Sequence, residues 1–452
     1  MRQFIVRAQK GRTEGYGCQI DTHVFYNHYT EEMFAEWLRR IDAMRLQSVR
    51  TQVFPEWYEW KQGCRNFDTE EMRSLYRLLD LCEARGIKVD LSFYGCCRIF
   101  RSRDGTRRGS WLANGFEGNW ITAPRLKDAC GNPFDGYGAY ADSVCALLLY
   151  LLDVKQYTCI YEVSIFPEPN CSFFDEAGDC KDESFIAFYR VVAERIAGAG
   201  LKDRILFSGP GDCANDPGRY RNYVSGLGNI VKKNTSSVYK FTESSANAEM
   251  YGYAAELVSI CAAQGNTWGV CECGSHHFID PANQSDIDTY TRALFLARFF
   301  INLTNAGCTN IKYWVLNDVW YGDYVMRLGL WKLMDECRGE ARPQYYVWSL
   351  ITKLTEFGSE IYPLERDETV CGTAFCLPDG AWVYFFVNNG AVPVPVSVAN
   401  HLIKDRIFSV YTVTEEVCTG KAEVISASGQ IAAEDGELKA TLSPKSFIAL
   451  KG

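Results

Sequence analysis

Hydrophobic and polar positions along the chain follow two alternating periods. Short runs rich in β-branched and aromatic residues are each followed by a loop carrying Gly, Pro, Asn or aromatics, and then by a stretch with a helical stripe. That order builds a parallel sheet with helical crossovers. The apolar runs fall at 17–21, 48–54, 88–94, 159–166, 204–208, 237–242, 267–271 and 310–316. Helices are predicted at 31–46, 69–85, 137–153, near 217–230, and at 248–264, 283–305 and 342–356. In the first of these, Phe34, Trp37, Leu38, Ile41 and Met44 form one stripe, the spacing of a helix with a single buried face. Thr30 is placed to cap it, with Glu31 and Glu32 at its positive end, where acidic side chains are favoured. Asp68-Thr69-Glu70-Glu71 opens the second as a capping box, and Gly86 ends it. Eight such units in about 340 residues match the size and repeat of a (β/α)8 TIM barrel.

After Gly358 the helical period disappears and short alternating strands take over, at 370–376, 381–388, 406–413, 437–442 and 447–450, with Asp379-Gly380 as a hairpin turn. An α/β chain is therefore expected, with a (β/α)8 barrel over residues 1–358 and a small C-terminal antiparallel β-sandwich over 359–452. Residues 1–11 are free to add a strand to either unit.

Composition narrows the function classes. Of 452 residues, 47% are hydrophobic and 23% charged, ordinary for a globular chain with a large core. The net charge of -9, with no local Lys/Arg cluster, offers no attraction to nucleic acid or anionic lipid. The start, Met1-Arg2-Gln3-Phe4-Ile5-Val6-Arg7, lacks a secretory apolar core, and no stretch of about 20 residues reads as a membrane span. The 19 cysteines are scattered through helix-like and strand-like segments, as reduced, buried small hydrophobes would be in a cytoplasm. Neither membrane nor nucleic-acid partners are expected, and association into a homo-oligomer is left open.

In a barrel of this kind the chemistry sits where strands end and their loops begin. Two carboxylates stand out. Glu168 follows the fourth apolar run inside Pro167-Glu168-Pro169-Asn170, where two prolines stiffen the backbone around one acid. Glu272 follows the seventh run, ahead of Gly274. Burial would raise the pKa of one carboxyl while the other stays ionised, the asymmetry that two-carboxylate hydrolysis requires.

These segments resemble the clan A retaining (β/α)8 glycoside hydrolases, over residues 12–356. Glu168-Pro169-Asn170 looks like the clan's Glu-Pro-Asn, as in the β-xylosidases of family 39 and the cellulases of family 5, and Glu272-Cys273-Gly274 resembles the nucleophile segment of the latter. Arg50, in Ser48-Val49-Arg50-Thr51, matches the strand-two arginine that supports the nucleophile, and Trp314 falls where the clan places a sugar-stacking tryptophan. Phe447-Ile448-Ala449-Leu450, after Leu442-Ser443-Pro444, is similar to the last strand of the appended sandwich. The resemblance implies Glu168 as general acid/base, Glu272 as nucleophile and cleavage of β-glycosidic bonds with retention. One position departs: the clan carries Asn immediately before its acid/base, where it binds the sugar 2-hydroxyl, and this chain has Pro167.

Further candidates for a carbohydrate substrate are His23, Asn170, Tyr239, His276, His277 and Trp320, beside Arg50 and Trp314. Trp57, Trp60, Trp120, Tyr321 and Tyr324 add aromatic faces in loops on the same side. Glu56, Glu59, Glu243, Asp318 and Asp323 also follow strands and are expected to bind hydroxyls or face solvent. No metal or other cofactor is expected: His-Glu-x-x-His is absent, and Cys271-x-Cys273 and Cys96-Cys97 lack zinc-site spacing and partners. The readings kept beside an exo-acting β-glycosidase are an endo-glycanase, a transglycosylase, and a catalytically silent carbohydrate-binding barrel.

Overall fold

The computed structural model describes residues 1–27, 29–94, 100–101, 107–108, 135–169, 182–213, 216–274, 285–321, 324–420 and 425–452. Eight parallel strands close into a barrel: β1 (Tyr16–Gln19), β2 (Ser48–Val53), β3 (Lys88–Phe93), β4 (Ile160–Ile165), β5 (Leu206–Asp212), β6 (Lys233–Val238), β7 (Thr267–Cys273) and β8 (Ile311–Tyr313), with β8 pairing back onto β1. Around them run α1 (Glu31–Met44), α2 (Glu70–Arg85), α3 (Gly136–Leu149), α4 (Asp182–Gly198), α5 (Pro217–Leu227), α6 (Asn247–Ala262), α7 (Tyr290–Ala306) and α8 (Pro343–Leu354). The barrel expected from the alternation is the barrel observed.

Local chemistry sets the boundaries. Thr30 caps α1 through Met33 N, Thr69 caps α2 through Met72 N, and Gly86 stops α2 at φ 65°. Strand β6 lies at Lys233–Val238 rather than at 237–242. Its first five residues, Lys233 to Ser237, are polar and all buried, so no apolar run marks the strand. Helix α4 was not anticipated, although Phe185, Phe188, Tyr189, Val192 and Ile196 give it a buried stripe at helical spacing. The segment Gly136–Val154 is, against the sequence expectation, long and apolar enough to cross a bilayer by length and composition. In the fold it forms α3 and one π turn, with Tyr140, Val144, Leu147, Leu148 and Leu151 buried in the core around the barrel.

The C-terminal strands form the expected sandwich. Glu360–Arg366, Val370–Cys376, Trp382–Asn388, Ser446–Lys451 and Ile407–Val413 make one antiparallel layer, and Glu437–Leu442 with Val394–Ala399 make the other. Gly429–Glu434 passes between them, pairing first with Ile407–Val413 and then with Glu437–Leu442. Between the layers lie Phe4, Val370, Trp382, Tyr384, Phe386, Val398, Phe408 and Leu438. The N-terminal residues join this sheet: Arg2–Ile5 pairs with Val394–Ala399, and Gly11–Arg12 with Glu360–Arg366. Helix α7 carries the contact between the two units. Tyr290 Oη donates toward the carbonyls of Val413 and Lys445 at 2.8 Å, and Asn305 Nδ2 donates to Gly372 O at 2.8 Å.

Candidate active site

Glu272 is the penultimate residue of β7 and is buried, 5% exposed. Two groups hold its carboxylate. Arg50 Nη1, from β2, donates to Oε1 at 2.5 Å, and the Tyr239 hydroxyl, just past β6, donates to Oε2 at 3.3 Å. Arg50 is wholly buried, and Gln19 Oε1 (3.0 Å) and Ser92 Oγ (2.9 Å) accept its other hydrogen bonds. The Gln19 amide in turn donates to Asp21 Oδ1 at 2.6 Å. Burial pushes the Glu272 carboxyl above its ordinary pKa, against the downward pull of Arg50 and Tyr239.

Glu168 follows β4 in a backbone of unusual shape. Residues before proline are turned away from the right-handed helical region, and both such residues here take positive φ, Phe166 at 40° and Glu168 at 58°. Conformations of this kind cost roughly 1–3 kcal/mol each and persist where the surroundings over-determine them. Here the neighbouring strands fix them: Phe166 N donates to Phe93 O at 2.7 Å and Glu168 N to Gly211 O at 2.9 Å. Gly211 sits at φ 67°, and a side chain there would begin 3.2 Å from Pro167 Cβ, so glycine meets both the turn and the close approach.

The two carboxylates, 104 positions apart in sequence (272 minus 168), act on the same neighbours. The Tyr94 and Tyr239 hydroxyls, on partly buried residues, are pushed well above their usual pKa by desolvation first, and then by the charges of both Glu272 and Glu168. The Arg50 guanidinium pulls the Tyr94 hydroxyl the other way, downward. Glu168 follows β4 and Glu272 closes β7, so both belong to the carboxyl-terminal end of the barrel, and their charges reach the same two tyrosines.

The remaining candidates divide. His23 is buried, with Nε2 2.9 Å from the carbonyl of Trp320, which ties the end of β1 to the hairpin Val319–Tyr321/Tyr324–Met326 after β8. Trp314, 4% exposed, has its indole Nε1 3.1 Å from the Met326 sulfur in that hairpin. Asn170, His276 and His277 lie outside the described residues, as do Trp120 and Asp323. Trp57 is core, 2% exposed. Of the other strand-end acids that are described, Glu59, Glu243 and Asp318 form ion pairs instead of facing solvent. Glu59 pairs with Arg65 at 2.7 Å, Glu243 pairs with Arg292, and Asp318 takes a two-pronged bond from Arg342 at 2.7 and 2.9 Å. Glu56 is buried at the start of the loop after β2. Sequence reasoning missed Tyr94, Gln19, Asp21 and Ser92. Tyr94 carried a usable signal, an aromatic directly after a strand.

A closed parallel barrel with two acids at the carboxyl ends of its strands, and with an antiparallel sandwich attached, defines the class: a (β/α)8 barrel of the kind that carries its site at that face. Among solved structures this fold recurs along the full length of the chain. A glycoside hydrolase family 30 endoxylanase from Clostridium papyrosolvens matches with a TM-score of 0.68 at 15% identity, covering 100% of this chain and 99% of its own. The catalytic domain of the family 30 xylanase C from Talaromyces cellulolyticus matches at 0.71 and 12%, with the same coverages. A family 39 β-xylosidase from Caulobacter crescentus matches at 0.62 and 14%, again over 100% and 99%. The chain matches no protein-family model and no curated protein sequence. The chain thus shares with these structures a barrel with an appended β domain, the fold expected from the resemblance of its Glu-Pro-Asn and strand-seven glutamate segments.

Proposed function

We propose that this chain is a retaining glycoside hydrolase that cleaves β-glycosidic bonds of oligosaccharides or glycoconjugates, with Glu272 as nucleophile and Glu168 as general acid/base. The observation that carries the reading is the pairing of Glu272 with Arg50 and Tyr239, beside a second acid, Glu168, whose charge acts on Tyr239 and Tyr94 as that of Glu272 does. In the first step a Glu272 oxygen bonds the anomeric carbon as the glycosidic C–O bond breaks, and the Glu168 proton goes to the leaving oxygen. In the second, water gives a proton to Glu168 while its oxygen bonds the anomeric carbon and the Glu272–sugar ester bond breaks. Arg50 and Tyr239 favour the ionised form of Glu272 against the effect of burial and fix it for attack, and bond orientation of this sort is worth several kcal/mol of barrier.

Aryl β-xylosides and β-glucosides are the first substrates to test, because xylanases, a β-xylosidase and an endo-β1,6-glucanase share the fold. A 2-fluoro glycoside with a good leaving group, which glycosylates the nucleophile and is hydrolysed from it only slowly, should add one fluoroglycosyl mass to the peptide containing Glu272, and Glu272→Gln should abolish both labelling and turnover. Turnover in Glu272→Gln comparable to the wild type would sink the assignment. The catalytically silent binding barrel is favoured by one feature, Pro167 before the acid; sugar binding without labelling across a panel of probes would select it.

A further inference from the structure

Below Glu272 the barrel is filled with charge instead of hydrocarbon. The row of strand partners Gln19, Arg50, Asp90 and Glu162 runs across β1 to β4. Two lysines reach into it from the opposite wall. Lys312 Nζ, from β8, lies 2.7 Å from Asp90 Oδ2 and 3.1 Å from Glu162 Oε2, and Lys233 Nζ, from β6, lies 2.8 Å from Glu162 Oε2. Asp90, Glu162, Lys233 and Lys312 are each at most 2% exposed. Glu14 meets Lys233 at 3.2 Å from the lower rim. Gly269 on β7 leaves the space: a side chain there would begin 1.7 Å from Asn310 Oδ1 and 3.0 Å from Lys233 Cε.

This buried cluster connects to the site. Ser164 Oγ lies 3.4 Å from Asp90 Oδ1 and 3.2 Å from Ser92 Oγ, and Ser92 Oγ accepts from Arg50. Arg50 therefore has two anionic claimants, Glu272 above at 2.5 Å and Asp90 below. Placing a buried cation between two carboxylates divides its charge, unless one of them is neutralised from elsewhere. Lys312 supplies that neutralisation for Asp90.

We propose that Asp90 and Lys312 are positioning residues for the Arg50–Glu272 pair: Lys312 holds the Asp90 charge, and so leaves the guanidinium to Glu272. The inference deepens the proposed role of Glu272 and rests on it only for its catalytic consequence. The other groups facing Glu272 are Asp21 from the end of β1, Tyr94 past β3, Tyr239 past β6, and Cys271 and Cys273 on its own strand, with Glu168 acting on the same tyrosines. None of these changes in the variants below.

The test uses the full chain with carbonyl-labelled glutamate. The Glu272 carboxyl is followed by 13C NMR against pH and assigned by its absence in Glu272→Gln. Lys312→Met should raise the titration midpoint by more than about 0.5 pH unit, Asp90→Asn should lower it by more than about 0.3, and the double variant should return toward the wild type. A merely structural role would lower stability without opposite signs or compensation. Equal-sign shifts, an unmoved midpoint, or a double variant that stays where Lys312→Met alone lies would each overturn the proposal. Should Lys312→Met not fold, Asp90→Asn decides: a lowered midpoint supports the proposal, and an unchanged or raised one refutes it. Because the midpoint is read without substrate, NMR shifts as expected in a protein that turns over no glycoside would count against the proposed activity and not against this inference.

Discussion

Replacing Arg50 by methionine keeps a long apolar side chain in the barrel while deleting the guanidinium that meets Glu272 at 2.5 Å. Two unit charges about 4 Å apart at an effective dielectric near 20 attract by about 4 kcal/mol, which at 1.36 kcal/mol per pH unit corresponds to about three pH units. Tyr239 remains on the second oxygen, so an upward shift of about one to three pH units is expected in the Glu272 pKa. Burial already holds that pKa above its ordinary 4.5, and the substitution moves it further in the same direction. Because the nucleophile must be ionised, the acidic limb of kcat/KM for an aryl β-glycoside moves up with it. The stability sign also follows. A carboxyl whose folded pKa exceeds its unfolded value binds its proton more tightly in the fold, so the variant is penalised least in acid and loses stability as pH rises toward the folded pKa. Melting temperatures of variant and wild type should therefore diverge from pH 5 to pH 8. An acidic limb moved by less than about 0.3 pH unit, or a melting deficit equal at both pH values, would refute the reasoning.

Three further outcomes are expected. Glu168→Ala should lose about 10²–10⁴-fold in rate on substrates with poor leaving groups and much less on activated aryl glycosides, with partial recovery in azide; equal losses on both substrate types would remove Glu168 from the acid role. Tyr239→Phe deletes one hydrogen bond to a charged group, worth about 1.5 kcal/mol at the 3.3 Å separation seen, and should cost about tenfold in kcat/KM with an upward move of the acidic limb. Arg342→Met strands the buried Asp318 carboxylate and should lower unfolding free energy by roughly 3–5 kcal/mol in denaturant titration, with a deficit under about 1 kcal/mol marking the pair as dispensable.

The parts of this fold that were readable in the sequence are those whose burial is apolar and one-sided. Helices α1 and α2 declare themselves through stripes and caps, and the strand Glu437–Leu442 ends where its alternation ends. Strand β6 was displaced because Lys233, Asn234, Thr235, Ser236 and Ser237 are buried as polar groups, and the partner that makes this tolerable, Glu162, lies 71 positions away. The same limit governs the site. Glu168, Glu272 and Arg50 were legible from position and motif, whereas Tyr94 and Ser92 acquire meaning only when β2 and β3 lie side by side. Asp318 and Glu243 follow strands in the sequence just as Glu168 and Glu272 do, and only the arginines across from them, Arg342 and Arg292, reveal ion pairs. Strand Val394–Ala399 escaped because Pro395 interrupts its signal, yet proline is tolerated there at Thr441 opposite.

The strand Arg2–Ile5 has a consequence for how the molecule is assembled and taken apart. It is translated before any barrel strand, yet its pairing partner is made only after all eight of them, with Arg2 opposite Val396. Until that late segment emerges, the early one has no hydrogen-bonding neighbour, and a contact of such long sequence separation slows folding. Once formed, it clasps the barrel's leading end to the trailing domain, so the two are not separable modules: excising residues 359–452 would leave Phe4 without its aromatic neighbour Phe386 and bare a strand edge for intermolecular pairing.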